Sequence, residues 1–177
     1  MKKILLTLSM TALLLFTAGC SCPFSDKTAD SKPQMNTAAA SAAETAPDFS
    51  YKELGSGKTM RLSDLKGKPV FINFWATWCP PCVGELPHIE KKYAEYKDKM
   101  HFVILSVDDN EQEPARFIQS KGYTFPAAYG DHQALGRAYG IDAIPASYII
   151  SADGHIIARI VGSMNESSLD AFLQKAF

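Results

Sequence analysis

The strongest constraint on this chain is the passage from Val70-Phe71-Ile72-Asn73-Phe74-Trp75 into Trp78-Cys79-Pro80-Pro81-Cys82. A short apolar run rich in β-branched and aromatic residues reads as a buried strand, and the residues behind it read as a helix start. The two cysteines therefore sit where a strand hands over to a helix. The first amides of a helix have no intrahelical acceptor, and the aligned peptide dipoles favour negative charge there. Cys79 at the N-cap gains from both effects, and Cys82 in the first turn is near enough to close a small ring. Cys79 is the expected attacking sulfur and Cys82 the resolving thiol.

The residues between them tune the pair. Pro80 suits the first helical position, where its missing N–H is not needed, and Pro81 removes a second N–H. The Cys82 amide is left as the chief local donor, and no His lies between the cysteines to add positive charge. The expectation is a thiolate pKa toward the upper end of the roughly 3.5 to 7.5 range of such sites. A less stabilised thiolate makes the disulfide harder to reduce, so the dithiol form is a reductant. Half of a zinc site is the plainer reading, but structural zinc asks for four ligands, usually from a second pair at matching spacing. The other two cysteines, Cys20 and Cys22, lie far upstream and form no second C-x-x-C.

Met1-Lys2-Lys3 and then the apolar stretch Ile4 to Thr17 read as an export signal, too short to span a bilayer comfortably. Ala18-Gly19-Cys20 resembles the end of a bacterial lipobox, which makes Cys20 the candidate lipidation site and mature N-terminus. Thr17 stands where such motifs usually carry Leu, Val or Ile; an uncleaved anchor and ordinary secretion stay open as alternatives. Removal of residues 1–19 leaves 16 basic against 19 acidic side chains, a net charge of −3. A mildly acidic domain without a basic stripe has no electrostatic footprint for nucleic acid. Export also places the dithiol where it must be kept reduced by something else.

The chain divides into three segments: residues 1–20 as signal, 21–46 as an Ala/Ser/Thr-rich tether without apolar periodicity, and 47–177 as one domain. A flexible tether of that length spans roughly 25 to 30 Å. Within the domain, Phe49 to Leu54 and Lys58 to Leu62 read as a hairpin, and Val70 to Trp75 as the central strand. The helix after Cys79 is expected to reach about Lys97, with a kink at Pro87. His101 to Val107 reads as a strand buried on both faces, as in a parallel sheet. Next come a helix from Glu113 to Lys121, a short strand from Thr124 to Ala128 and a helix from His132 to Tyr139. A hairpin of Ala146 to Ser151 and His155 to Val161 precedes a last helix from Ser167 to Ala176. Such an order predicts an α/β fold with a mixed central sheet flanked by helices.

Phe74-Trp75-Ala76-Thr77-Trp78-Cys79-Pro80-Pro81-Cys82, together with Ile144-Pro145, resembles the thioredoxin superfamily. Within it the domain is similar to the membrane-tethered TlpA- and ResA-like thiol-disulfide oxidoreductases, over essentially all of Pro47 to Phe177. The resemblance implies a thioredoxin-like fold with an N-terminal hairpin and a central βα insertion. It also implies a cis proline at Pro145 facing the cysteines, with the Ile144 backbone as an edge for a substrate segment. Trp78 and Pro80 join these two as expected substrate contacts. Ala146 departs from the Thr usual after this proline.

Asn73 occupies the strand position where thioredoxin itself carries an acidic residue for proton transfer, and an amide cannot titrate. Glu85 is the candidate replacement: it lies three residues after Cys82 on the same helical face, and Glu85-Leu86-Pro87 matches the family's acid before a proline. A buried Glu near two sulfurs would have a raised pKa and exchange protons with Cys82. The plainer reading is a solvated first-turn Glu favoured by the helix dipole. Trp75 and Trp78 are expected to pack around the site, while His88, His101, His132 and Lys66 read as ordinary residues.

The expected function is extracytoplasmic thiol-disulfide exchange that reduces disulfides in exported proteins, through the Cys79-Cys82 dithiol and with no metal or organic cofactor. The resemblance implies apocytochrome c as one substrate and a membrane electron donor of the DsbD or CcdA type. A thiol peroxidase is one rival, but its Pro-x-x-x-Thr-x-x-Cys pattern would put Pro and Thr at Ile72 and Ala76, and Thr77 is one place off. A copper-binding assembly protein of the same fold is another. It pairs cysteines spaced by three residues with a distant His, whereas two residues separate this pair.

Overall fold

The computed structural model describes residues 44–177. The signal-like stretch, Cys20 and the tether up to residue 43 lie outside the described residues. The strands are β1 (Ser50–Glu53), β2 (Thr59–Arg61), β3 (Val70–Trp75), β4 (His101–Ser106), β5 (Ala127–Tyr129), β6 (Ala146–Ile150) and β7 (Ile156–Val161). The α-helices are α1 (Pro80–Tyr96), α2 (Gln112–Lys121), α3 (His132–Tyr139) and α4 (Glu166–Leu173). All seven strands join one sheet in the order β2-β1-β5-β4-β3-β6-β7. The pairs β3–β4 and β4–β5 are parallel; β3–β6, β6–β7, β1–β2 and β1–β5 are antiparallel. This is a thioredoxin-like mixed sheet, with the N-terminal hairpin attached to β5 and the α2–β5 segment inserted between β4 and α3.

β3 is buried along its whole length and serves both sides of the sheet. Phe71 and Trp75 point into a core with Leu86 and Ile89 of α1, Leu169 and Phe172 of α4, and the flanking Phe117 and Ile118 of α2. Val70, Ile72 and Phe74 point the other way, against Leu135 and Tyr139 of α3 and Leu62 from the N-terminal part. Alternation with period two puts Asn73 on the α1 face. Each apolar side chain so buried contributes roughly 1.5 to 3 kcal/mol, which makes β3 a firm anchor for the cysteine loop and for α1 behind it. Among the described residues, no helix is long and apolar enough to cross a membrane.

Three details differ from the sequence-based expectations. Glu44–Ala46, read as the end of the tether, are laid against the start of β7. Thr45 bridges His155, the Ala46 N–H donates to the Gly154 carbonyl, and the Ile156 N–H donates to the Glu44 carbonyl. The folded region therefore begins before Pro47. β5 starts at Ala127 rather than Thr124, because Glu90 of α1 accepts the Thr124 N–H and hydroxyl and the Phe125 N–H, and Pro126 has no N–H for a ladder. α1 keeps its expected span, running with Pro87 inside it to Tyr96. The last helix begins at Glu166, where the Asn165 side chain caps the Ser168 N–H, and gives way to a 3-10 turn at Gln174–Ala176.

Candidate active site

Sheet topology gathers one end of five elements. β3 and β4 are parallel and finish together, with Trp75 opposite Ser106, while β6 is antiparallel and starts beside them, with Phe74 opposite Ala146. β7 returns to the same end, where Val161 faces Ala146. The loop after β3, the acid after β4, the proline before β6 and the turn after β7 thus converge on the start of α1.

Cys79 and Cys82 are joined by a disulfide. Cys79 is the N-cap of α1, with Pro80 and Pro81 behind it in the first helical positions. Its Sγ accepts the Cys82 N–H at 3.3 Å. Pro80 and Pro81 have no N–H to add. Cys79 is 5% exposed and Cys82 1%, so Cys79 is the less enclosed of the two, and the neighbouring Trp78 is 64% exposed. The Ile144-Pro145 bond is cis, and the Ile144 carbonyl oxygen lies 3.8 Å from Cys79 Sγ. Ala146, the departure from the family pattern, is fully buried as the first residue of β6.

Glu85 is 1% exposed, so the solvated first-turn reading does not hold. Its Oε1 accepts the Met164 N–H at 3.0 Å, and its Oε2 takes a long bond of 3.3 Å from Asn73 Nδ2. Asn73 Nδ2 also donates to Ser147 Oγ at 2.9 Å, and Asn73 Oδ1 has no partner among the described residues. Burial pushes the Glu85 carboxyl up from 4.5 to about 7, and the two N–H donors pull it back only in part. The amide that stands where thioredoxin carries an acid is in direct contact with the acid expected to replace it.

A second buried acid lies beside the redox loop. Asp108, just beyond β4, is inaccessible to solvent. It accepts the Thr77 N–H on both oxygens at 3.2 and 3.1 Å, the Thr77 hydroxyl at 2.6 Å and the Ser106 hydroxyl at 2.7 Å. Thr77 is two residues before Cys79, so Asp108 fixes the backbone from which Trp78 and Cys79 project.

A family model described as Redoxin matches residues 41–173, which is most of the chain. The chain belongs to the Redoxin family. Thiol-disulfide oxidoreductase ResA of Bacillus thuringiensis (strain Al Hakam) is 37% identical over 131 residues, 73% of this chain and 75% of that protein. Among solved structures, a thiol:disulfide interchange protein of the thioredoxin family from Chlorobium tepidum TLS is 29% identical with a TM-score of 0.69, over 78% of this chain and 99% of that one. The pneumococcal exposed lipoprotein thioredoxin Etrx1 of Streptococcus pneumoniae is 26% identical with a TM-score of 0.64, over 73% and 99%. This Redoxin-family member is a protein thiol-disulfide oxidoreductase.

Within this Redoxin-family site, Cys79, Cys82, Glu85, Trp78, Pro80, Ile144 and Pro145 all gather at the same end of the sheet. Trp75 is buried in the core against Phe117, with ring centroids 5.7 Å apart. Asp108, Ser147 and Met164 were not singled out from the sequence. A Ser-x-Asp pair at the end of a buried strand could have flagged Asp108, whereas Met164 contributes only a backbone amide and leaves no side-chain signal. Among the described residues, no group of three or more His, Cys, Asp or Glu side chains is arranged to hold a metal.

Proposed function

We propose that the protein works outside the cytoplasm as a dithiol reductant of disulfides in exported polypeptides, using Cys79 to attack and Cys82 to resolve. The observation that carries this reading is the poor donor environment of Cys79 Sγ, which has the Cys82 amide and two prolines where other helix starts present further N–H groups. A thiolate so sparsely stabilised favours the oxidised enzyme and therefore a reduced substrate.

In the reaction, the Cys79 thiolate attacks one sulfur of the substrate cystine. That bond breaks, the second substrate sulfur leaves and takes a proton, and a mixed disulfide joins Cys79 to the first. Cys82 then loses its proton, with Glu85 as acceptor, and attacks Cys79 Sγ. The Cys79–Cys82 bond forms and the first substrate sulfur departs, so two electrons pass to the substrate. A carboxyl pushed to about 7 by burial suits this exchange, because both of its forms are populated near neutral pH. Trp78, Pro80, Ile144 and Pro145 form the surface against which the substrate backbone is held.

A membrane donor of the DsbD or CcdA type would return the electrons, and apocytochrome c before haem attachment is one candidate substrate by family resemblance. Lipid anchoring at Cys20 is supported by the lipobox-like Ala18-Gly19-Cys20 and by the likeness to a protein named as an exposed lipoprotein thioredoxin.

The decisive measurement is the reduction potential of the Glu44–Phe177 region, by equilibration with a thiol buffer of known poise. A value of about −270 mV or lower is expected of a reductant, and one near −120 mV would make the protein an oxidant.

A further inference from the structure

The two ends of the sheet carry opposite charge. At the dithiol end, the exposed Asp109 follows β4, Asp131 follows β5 and Asp142 precedes Ile144. Burial, and with it the charges of Glu111, Asp109, Asp108 and Asp131, pushes the Tyr129 hydroxyl up from its ordinary pKa. At the far end β3 and β4 begin side by side, with Val70 opposite His101. Exposed lysines crowd there: Lys66 and Lys68 before β3, Lys97 and Lys99 between α1 and β4, and Lys175 after α4. The β1–β2 turn and the end of α2 add Lys58 and Lys121. None of these lysines pairs with a carboxylate among the described residues. Against them stand the side chains of Glu44, Glu53, Asp98 and Asp153, so positive charge is in excess. The lysines come from separate turns of the fold, and no basic run marks them in the sequence.

Two further features belong to the lysine-rich end. Phe177 is 64% exposed and stacks on Tyr96, with ring centroids 6.2 Å apart and Lys99 Nζ 5.7 Å from the same ring. Glu44, where the domain continues into residues 1–43, is held there by the Ile156 N–H at the start of β7.

We propose that the lysine-rich end is a docking face for the anionic headgroups of a lipid bilayer, with Phe177 entering the interface, so that the dithiol points away from the membrane. The proposal extends the reading of the chain as membrane-tethered. Each lysine near an anionic surface adds roughly fivefold to affinity, and the same surface repels the acids of the opposite end. Both effects select one orientation. An aromatic ring among lysines suits the boundary between headgroups and acyl chains. A membrane donor must then reach Cys79 above the headgroups.

The test places the full chain on vesicles of phosphatidylcholine mixed equally with phosphatidylglycerol, with a nitroxide-labelled headgroup as quencher. The chain's two tryptophans, Trp75 and Trp78, both report from the dithiol end, and Phe177→Trp adds an indole at the lysine-rich end. The added indole should lose most of its emission while the native pair keeps its own. Lys97→Glu with Lys99→Glu should restore that emission, as should salt at about 1 M, which shortens screening to about 3 Å. Arg116→Glu with Arg137→Glu, an equal charge change on α2 and α3, should not. Quenching of the native pair, quenching of neither, or equal quenching on pure phosphatidylcholine would overturn the proposal. Binding to single-stranded RNA with no response to the mixed vesicles would assign the lysines to another polyanion and overturn it as well. Should Phe177→Trp not fold by far-UV circular dichroism, amide hydrogen exchange of the wild type decides: mixed vesicles should slow exchange from Lys97 to His101 and leave Ala76 to Cys79 unchanged, and the reverse pattern or no change at either place sinks the docking face. A chain that fails to bind vesicles at all would sink the tether too, whereas one that binds without quenching of the added indole sinks the docking face alone.

Discussion

Glu85 and Asp108 are both carboxylates with almost no solvent contact, one in the first turns of α1 and the other just past the end of β4. Their surroundings differ in supply of donors. Asp108 gathers three, the Thr77 amide and the hydroxyls of Thr77 and Ser106, two of them at 2.6 and 2.7 Å. Glu85 has the Met164 amide at 3.0 Å and a share of the Asn73 amide at 3.3 Å. Burial removes water from both, but only Asp108 receives short bonds in its place. An acid so held is an anchor for the redox loop, whereas an acid left short of donors keeps its proton near neutral pH and can trade it.

The largest expected effect comes from removing the anchor. Asp108→Ala strands the Thr77 amide and two hydroxyls, and should destabilise the fold by about 3 kcal/mol or more in urea titration. It should also slow exchange, because Trp78 and Cys79 come directly after Thr77. A loss below about 1 kcal/mol would mean that the loop is held by something else.

Glu85 should behave in the opposite sense. Its carboxyl sits at 4.5 when unperturbed and at about 7 in the fold, so the folded state binds the proton that the unfolded chain releases between those values. Stability should fall as pH rises through that window, by about 3 kcal/mol in total. Glu85→Gln keeps an acceptor for the Met164 amide and removes the titration. At pH 8 the variant should therefore be more stable than the wild type, and its denaturation midpoint should be flatter from pH 4.5 to 7. Equal pH profiles for the two proteins would dissolve the contrast with Asp108.

How much of this was legible in the sequence depended on distance along the chain. The two cysteines and two prolines form a contiguous motif, and Glu85 is reached from them by helical spacing. The surroundings of Glu85 are not, because its hydrogen-bond partners are distant in sequence: the Met164 amide lies 79 residues away, and Asn73 shares its amide with Ser147, 74 residues from Asn73. Asp108 looked like any loop acid until Thr77, 31 residues earlier, was seen folded against it. Glu44–Ala46 read as tether because their side chains carry no pattern; they pair with β7 through backbone groups, which composition does not report. The early start expected for β5 had its apolar signal, but Glu90 supplies the hydrogen bonds that a ladder would have made.

Exchange kinetics sharpen the same contrast at a smaller scale. If Glu85 accepts the Cys82 proton, Glu85→Gln should slow the resolving step by at least about 100-fold near pH 7, with less effect at high pH where hydroxide does the work. Single-turnover reduction of a disulfide peptide measures that step, and an unchanged rate would leave Glu85 as a merely buried group.

The smallest effect expected is at Ser147. Asn73 Nδ2 divides its two hydrogens between Ser147 Oγ at 2.9 Å and Glu85 Oε2 at 3.3 Å, and the shorter bond shows where the amide is drawn. Ser147→Ala removes that competitor at about 1 kcal/mol of stability. The amide is then free to close on Glu85, which favours the ionised carboxyl and lowers its pKa. The midpoint of the pH–rate profile should move to lower pH, opposite to the shift that added burial alone would cause. A midpoint that stayed in place would mean that burial, not the shared amide, sets the proton affinity of Glu85.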